Sequence, residues 1–334
     1  MSTGIFLTPG AARAAYQVGA LHALFTEGGI RPDVIAGASV GSLNGAFAAM
    51  GETERLVEIW SGWQNRDIMR INWGELIGNG LFWAPGLASN EPEHKTGIEP
   101  YIFEEKIEEG VRFRFNIADL TTGQNRIVEY PGEEMPIQTA VRASVSVPVM
   151  FEPVEWEGHQ YADGLTIEGC PLETLLLQTG VTRAFVIGVS PQTSLENPCT
   201  NVYRTVMSAS EWNQYSEPLR AIERAKSVNG KIRDWKRFRG ELASIIRTSF
   251  AGEPDEEPLL ELLAEAFHTA GFPWSRAEVE IIPVMPKDEI SMWFGDFQPE
   301  RSRRLIETGY RDALGVLDSL ETTGVVEAST NNPD

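Results

Sequence analysis

Short apolar runs and segments with helical spacing alternate through the first 50 residues. Residues 4–8 are apolar and end at a Pro-Gly pair, which predicts a buried strand. Residues 11–25 carry apolar side chains at helical spacing and predict a helix. Residues 33–36 predict a second strand, and 42–50 a second helix after a tight turn. This strand–helix–strand–helix order predicts a parallel sheet with right-handed crossovers.

The rest of the chain continues the mixture of strands and helices. Strands are predicted at 112–120, 125–130, 151–156, 159–162, 184–189 and 278–284, and helices at 136–144, 201–247, 256–270 and 299–320. No repeat or low-complexity linker divides these elements. The pattern therefore predicts one α/β domain over 1–320, with helical elaborations at about 57–100 and 201–270 and a polar tail at 321–334.

The composition is that of a globular protein. Of the 334 residues, 42% are hydrophobic and 23% charged, which excludes global disorder. The net charge of 28 − 48 = −20 argues against nucleic-acid binding, because phosphates would be repelled. Cys170 and Cys199 are too few for a disulfide framework and lack metal-ligand spacing. Residues 1–10 lack a signal-peptide pattern, so we expect a cytoplasmic location.

A nucleophile elbow is the first candidate for chemistry. Gly37-Ala38-Ser39-Val40-Gly41 matches G-x-S-x-G and lies between a predicted strand and a predicted helix. Glycines at 37 and 41 leave room for the sharp turn that exposes the serine hydroxyl. The Val40 N–H and the helix N-terminus would then face developing negative charge. An ordinary glycine-rich βα loop is the alternative interpretation.

No histidine has a strong claim as the base for this serine. The chain has four histidines, and Ser39 follows only two strands, unlike the α/β-hydrolase order. The histidines are His22, His94, His159 and His268. A mechanism without histidine is therefore considered.

Two further blocks are candidates for the site. The loop from Thr8 to Ala14 contains small residues and opens a helix, so its N–H groups can approach an anionic ligand. Asp163 ends a short predicted strand and precedes a glycine, from which its carboxylate can project into a cleft. By itself, Asp-Gly more often marks a turn.

Together these blocks resemble the patatin-like phospholipase family. The matching segments are Ala15-Tyr16-Gln17-Val18-Gly19-Ala20-Leu21, Gly37-Ala38-Ser39-Val40-Gly41, Arg142-Ala143-Ser144 with Pro148 and Phe151-Glu152-Pro153, Tyr161-Ala162-Asp163-Gly164 with Pro171, and Leu305-Ile306-Glu307-Thr308-Gly309-Tyr310. The resemblance implies a patatin-like three-layer α/β sandwich, with a mostly parallel sheet and helices on both faces. It also implies a phospholipase, lysophospholipase or esterase that uses a Ser–Asp dyad and an acyl-serine intermediate.

The resemblance assigns roles to individual residues. Ser39 would be the nucleophile and Asp163 its base. The backbone at Gly10 and Ala11, with Val40 as a further donor, would form the oxyanion hole, and Arg13 would anchor that loop. No metal or organic cofactor is expected.

The oxyanion loop departs from the family's G-x-G-x-x-G pattern. Pro9, Ala11 and Ala14 stand at the glycine positions, and proline has no N–H to donate. One lost oxyanion donor lowers the rate about a hundred- to a thousandfold. A catalytically weak or silent relative that binds lipid or a protein partner is therefore the alternative function. Acyl transfer to an acceptor other than water is a third.

Two surface segments have alternative interpretations. Residues 218–247 carry nine basic and three acidic side chains, with Trp235 and Phe238 between them. A basic amphipathic helix with aromatic residues can dock on an anionic membrane, while a solvated helix paired with acidic neighbours is the alternative. The aromatic segment 60–83 either covers a substrate cleft or forms a small packed core.

Overall fold

The fold is built around a large sheet. The computed structural model describes residues 2–71, 86–189, 202–252, 255–269, 278–288, 290 and 296–322. The strands are β1 (Thr3–Leu7), β2 (Val34–Gly37), β3 (Arg70–Ile71), β4 (Ala88–Ser89), β5 (Arg112–Asp119), β6 (Gln124–Tyr130), β7 (Val154–Trp156), β8 (His159–Asp163), β9 (Arg183–Ile187) and β10 (Glu280–Val284).

Helices connect most of these strands. They are α1 (Ala15–Thr26), α2 (Val40–Ala49), α3 (Thr53–Gly62), α4 (Asn65–Ile68), α5 (Glu91–Glu93, continued by a π turn over His94–Ile98), α6 (Ile137–Ser144), α7 (Leu172–Leu175), α8 (Val202–Ser249), α9 (Glu256–Thr269) and α10 (Pro299–Thr322). None of the helices within the described ranges is long and apolar enough to cross a bilayer.

The main sheet is parallel at its centre and antiparallel at one side. Its order is β10–β9–β1–β2–β5–β8–β7, with β6 also paired to β5. The contacts from β10 to β5 are parallel, and those of β5 with β6 and β8 are antiparallel. The predicted α/β class and mostly parallel sheet are confirmed.

Strand β5 pairs with both β2 and β8, which are distant in the chain, and brings their carboxyl ends together. Its partner β6 pairs along Phe113–Asp119 and occupies one side of the strand. Both β2, which pairs up to Phe115, and β8, which pairs from Ile117, must therefore share the other side. Because β2 and β8 are antiparallel to each other there, their carboxyl ends point towards one another.

Helices cover both faces of the sheet. Ile5 and Leu7 pack with α1, α2, α3 and α10 on one face. Phe6, between them, packs with α7 and α8 on the other. This alternation of buried side chains along β1 follows from strand geometry. It produces the three layers that the family resemblance implied.

The first helix begins later than the sequence pattern indicates. A helix was predicted from Ala11, but α1 begins at Ala15 and follows a 3₁₀ turn. Ala11 has a φ of +47°, which no right-handed helical residue adopts. The chain must complete this turn before a regular helix can start.

Helices α1 and α10 are in backbone contact. A Cβ atom at Gly309 would overlap the carbonyl oxygen of Tyr16, and one at Gly19 would overlap that of Ile306. Only glycine lets the two helices approach so closely. This contact gives a physical reason for the glycine in the Thr308-Gly309-Tyr310 segment.

Trp60 and Trp63 belong to a packed core. Their ring centroids are 5.3 Å apart, and Trp60 also lies 5.9 Å from Phe297. Both tryptophans are buried. For these two residues the structure favours the packed-core interpretation of segment 60–83, while residues 72–85 lie outside the described part.

Ser39 follows the carboxyl end of β2, and the long helix α8 extends past the other end of the sheet, where the parallel strands begin. Ile222 lines a cavity with Met285, just after β10, whereas Asn229 bonds to the backbone of Val279, just before β10. Residues 233–249 of α8 therefore continue beyond the amino ends of the strands, for about 25 Å. No residue in that stretch is buried.

Candidate active site

Ser39 lies in a strained turn between β2 and α2. Its φ of +55° and ψ of −130° place it outside the usual regions for a side-chain-bearing residue, at a cost of about 1–3 kcal/mol. A Cβ at Gly37 would overlap the Gly41 carbonyl, and one at Gly41 would overlap the Leu7 carbonyl. Both glycines are needed because the turn leaves no room for side chains.

Asp163 reaches the same edge through sheet pairing. Gly37, the last residue of β2, pairs with Phe115 of β5. Asp163, the last residue of β8, pairs with Ile117, two positions farther along the same side of β5. Ser39 follows Gly37 by two residues, so register alone brings the serine and the carboxyl group together.

The Asp163 carboxyl group is fully buried. Burial raises its pKa from 3.8 to about 7, while hydrogen bonding from the Ser39 hydroxyl and the Leu165 N–H lowers it by less. Oδ1 accepts the Leu165 N–H at 2.9 Å. Oδ2 lacks an aligned hydrogen-bond partner, so the interaction with the Ser39 hydroxyl is long or poorly aligned.

Free backbone donors lie beside the elbow. The N–H groups of Gly10, Ala11 and Val40 donate to no oxygen of the described residues. Val40 is the first residue of α2, where the helix dipole favours negative charge. Each of these three groups is therefore free to donate to a ligand, and an oxyanion hole is built from such donors.

The loop that holds these donors is tightly packed. A Cβ at Gly10 would lie 2.5 Å from Val189, so only glycine fits there. The Arg13 N–H donates to the Gly10 carbonyl at 3.1 Å, and the Arg13 side chain is buried. Ala11 keeps the left-handed φ that a glycine would adopt more easily.

Two buried amide side chains support this loop, and neither was predicted from the sequence to do so. Gln17 donates to the Thr8 carbonyl at 2.6 Å and accepts from Asn44 at 3.1 Å. Asn44 also donates to the Ala14 carbonyl at 3.2 Å and accepts from the Trp60 indole N–H at 3.0 Å. The signal available in the sequence was an amide side chain, Gln17 or Asn44, within a helix of mostly small and apolar residues.

A second polar network holds the Asp163 backbone. The Asp163 N–H donates to the Ser146 carbonyl at 2.9 Å. The Ser146 hydroxyl accepts from Asn90 at 2.9 Å, and Asn90 accepts from Arg142 at 3.1 Å. Asn90, Ser146 and Asp163 are all buried. Arg142, from the Arg142-Ala143-Ser144 segment, thus supports the Asp163 backbone through Asn90 and Ser146.

Among the described histidines, none hydrogen-bonds to Ser39 or Asp163. His159 lies 2.9 Å from Asp119, and the His22 ring lies 5.8 Å from the Tyr310 ring at a tilt of 40°. Burial lowers the pKa of His94, which favours its neutral form. The side chain of His268 lies outside the described part. Among described residues, no cluster of three or more His, Cys, Asp or Glu side chains could hold a metal ion.

Cavities with described walls lie away from the dyad. The cavity of about 370 Å³ lies between α7 and α8 and reaches Cys170 and Val279. A polar cavity of about 410 Å³ contains Asp119 and His159. Neither is lined by Ser39 or Asp163. Cavity size therefore does not identify the site; the strained serine, free donors and buried carboxyl group do.

Comparison with known proteins gives the family. The family model described as patatin-like phospholipase matches residues 7–176, just over half of the chain. The chain belongs to the patatin-like phospholipase family. The matched range contains Ser39, Asp163 and the loop around Gly10.

Individual relatives of this patatin-like chain are distant. It is 23% identical, over 346 aligned residues, to "Lysophospholipase NTE1" of Mycosarcoma maydis. The alignment covers all of this chain and 16% of that protein. Among solved structures, VipD from Legionella pneumophila is similar with a TM-score of 0.43 and 14% identity, over 95% of this chain and 67% of VipD.

Proposed function

We propose that this patatin-like chain is a serine lipid acyl hydrolase, a carboxylic-ester hydrolase of the phospholipase, lysophospholipase or esterase type. The observation that carries the proposal is the meeting of a strained serine with a buried carboxyl group of raised pKa at one edge of the sheet. A base is most effective when its pKa is close to the working pH. Burial gives Asp163 that property without a histidine.

The proposed reaction has two halves. Asp163 accepts the Ser39 proton as Oγ attacks the ester carbonyl, and the leaving alcohol takes that proton when the tetrahedral intermediate collapses to acyl-serine. Asp163 then accepts a proton from water, and hydroxide attacks the acyl group. The second collapse returns the proton to Ser39 and releases the fatty acid.

The oxyanion of each intermediate would lie among the free N–H groups of Gly10, Ala11 and Val40. Pro9 removes one donor of the family's loop, but these three remain available. Gln17 and Asn44 hold the loop carbonyls, so the donors are fixed before substrate arrives. Preorganised donors of this kind supply much of the rate enhancement in acyl transfer.

An active-site-directed fluorophosphonate tests the nucleophile. We expect the wild type to be labelled and Ser39→Ala to be unlabelled. Ser244→Ala, which removes an exposed hydroxyl on α8, is the matched control and should label like the wild type. Labelling that persists in Ser39→Ala would refute the assignment of Ser39.

Turnover separates the hydrolase from the silent lipid- or partner-binding alternative. We expect esters and phospholipids to be hydrolysed by the wild type, and Ser39→Ala and Asp163→Asn to lose at least a thousandfold. Equal background turnover in all three proteins would favour the binding protein. Product analysis with added alcohol acceptors distinguishes hydrolysis from acyl transfer.

Membrane contact through residues 218–247 stays a prediction, as does a cytoplasmic location. Several cations of this segment are paired: Glu217 lies within 4.0 Å of Arg220 and Arg224, and Glu278 within 4.0 Å of Arg233 and Lys236. These pairs favour the solvated-helix interpretation of the charges. The exposed apolar residues of the segment, Val228, Phe238 and Ile245, favour membrane contact.

A further inference from the structure

One exposed valine combines two unfavourable features. Val149 is 63% exposed, and its φ of +75° lies in the left-handed region that β-branched residues avoid. A glycine or asparagine would suit this backbone, and a polar side chain would suit the exposure. Neither local conformation nor burial explains the valine, whereas contact with an apolar partner outside the chain would.

Hydrogen bonds fix the backbone around Val149, which follows the segment that bonds the Asp163 backbone. The Val149 carbonyl accepts from the Leu87 N–H at 3.0 Å, and the next carbonyl, of Met150, accepts from the Ala88 N–H at 2.7 Å. Three residues earlier, the Ser146 carbonyl accepts the Asp163 N–H. The Cα atom of Val149 is therefore within about 11 Å of that of Ser146.

A second exposed aliphatic residue follows Asp163, the donor of the Asp163–Ser146 hydrogen bond. Ile167 follows Asp163 by four residues, at the end of the 3₁₀ turn that begins with Gly164. Its N–H donates to the Gly164 carbonyl at 3.1 Å, and its side chain is 42% exposed. Val149 and Ile167 thus extend from the two segments that the Asp163–Ser146 hydrogen bond joins.

We propose that Val149 and Ile167 form an acyl-chain subsite, which contacts the apolar chain of the ester whose carbonyl lies at Ser39. The inference rests on the proposed function and names the part of the substrate that these residues bind. An acyl chain is the apolar ligand that the proposed reaction brings to Asp163. Its methylene groups would cover both side chains and account for their exposure in the free protein.

Chain-length preference tests the subsite. We would measure kcat/KM for monomeric p-nitrophenyl butyrate and p-nitrophenyl decanoate with the wild type and with Val149→Thr, Ile167→Thr and the double variant. Threonine keeps the branch at Cβ: it replaces one methyl group of valine by a hydroxyl at position 149, and the ethyl group of isoleucine by a hydroxyl at position 167. We expect the decanoate-to-butyrate ratio to fall about tenfold in the double variant.

Matched variants separate this effect from general damage. Ile245→Thr makes the same kind of change at an exposed residue of α8, beyond the opposite end of the sheet, and should leave the ratio unchanged. Val149→Gly should raise the melting temperature, because it relieves the backbone, and still lower the ratio.

The outcomes are distinguishable. A ratio unchanged in the double variant, or in Val149→Gly, overturns the subsite while the hydrolase stands. A wild type that hydrolyses neither ester and is not labelled by fluorophosphonate overturns the hydrolase, and the subsite with it.

Discussion

Replacing Asp163 by asparagine should stabilise the protein at neutral and alkaline pH. Burial raises the pKa of this carboxyl group from 3.8 to about 7, so its ionised form is unfavourable in the folded state. Asparagine carries no charge and keeps an acceptor for the Leu165 N–H, which bonds to Oδ1 at 2.9 Å. Asp163→Asn should therefore remove the free-energy cost of holding a buried carboxylate, and it should also abolish catalysis.

The magnitude follows from the pKa difference. One pKa unit corresponds to about 1.4 kcal/mol, so a rise of about three units corresponds to about 4 kcal/mol. Below pH 3.8 the proton is bound in both states and there is no penalty. As pH rises towards 7, the unfolded chain loses the proton first, and the free energy of unfolding falls. Above pH 7 the penalty is complete.

Urea denaturation between pH 5 and pH 8 measures this effect. The stability difference between Asp163→Asn and the wild type should grow by about 3 kcal/mol over that range. Asp318→Asn, at an exposed position on α10, is the control and should show no comparable growth. A difference for Asp163→Asn that stays constant with pH would refute the raised pKa and the reasoning from burial.

Three further predictions follow from the same structure. The kcat/KM of the wild type should rise about tenfold per pH unit up to about pH 7 and then level off, since Asp163 must be ionised to act as a base; an acid limb near pH 4 in the pH–rate profile would contradict this. Gly41→Ala should destabilise the protein by about 1–3 kcal/mol in urea titrations and abolish ester turnover, because its Cβ would overlap the Leu7 carbonyl, whereas Gly240→Ala, in open space on α8, should do neither. Peripheral contact through residues 218–247 predicts that the full chain pellets with anionic vesicles at low salt and not with neutral ones; no pelleting with either would exclude it.

Local pattern was sufficient for the first half of the site. Apolar runs, glycine positions and helical spacing predicted β1, α1, β2 and α2 within a few residues. They also located Ser39 between a strand and a helix, because the elbow is a local turn whose glycines can be read directly. The later onset of α1 was missed, since the φ of Ala11 is imposed by its surroundings and alanine gives no sign of it.

The other half depends on contacts between distant residues. Asp163 is 124 positions from Ser39 in the numbering, and its approach depends on β8 sharing one side of β5 with β2. Local propensity carries no information on such pairing, whose register is set by the whole sheet. Gln17 and Asn44 show the same limit, because a buried amide is recognised only when its partners are known.

By itself, then, the sequence determined the alternation of strands and helices, the position of the elbow turn and the identity of the nucleophile candidate. The tertiary structure alone decided that a carboxyl group lies beside that turn and that burial raises its pKa. The physical reason is that turns and periodicity are properties of neighbouring residues, whereas desolvation and strand register arise only when distant segments pack together.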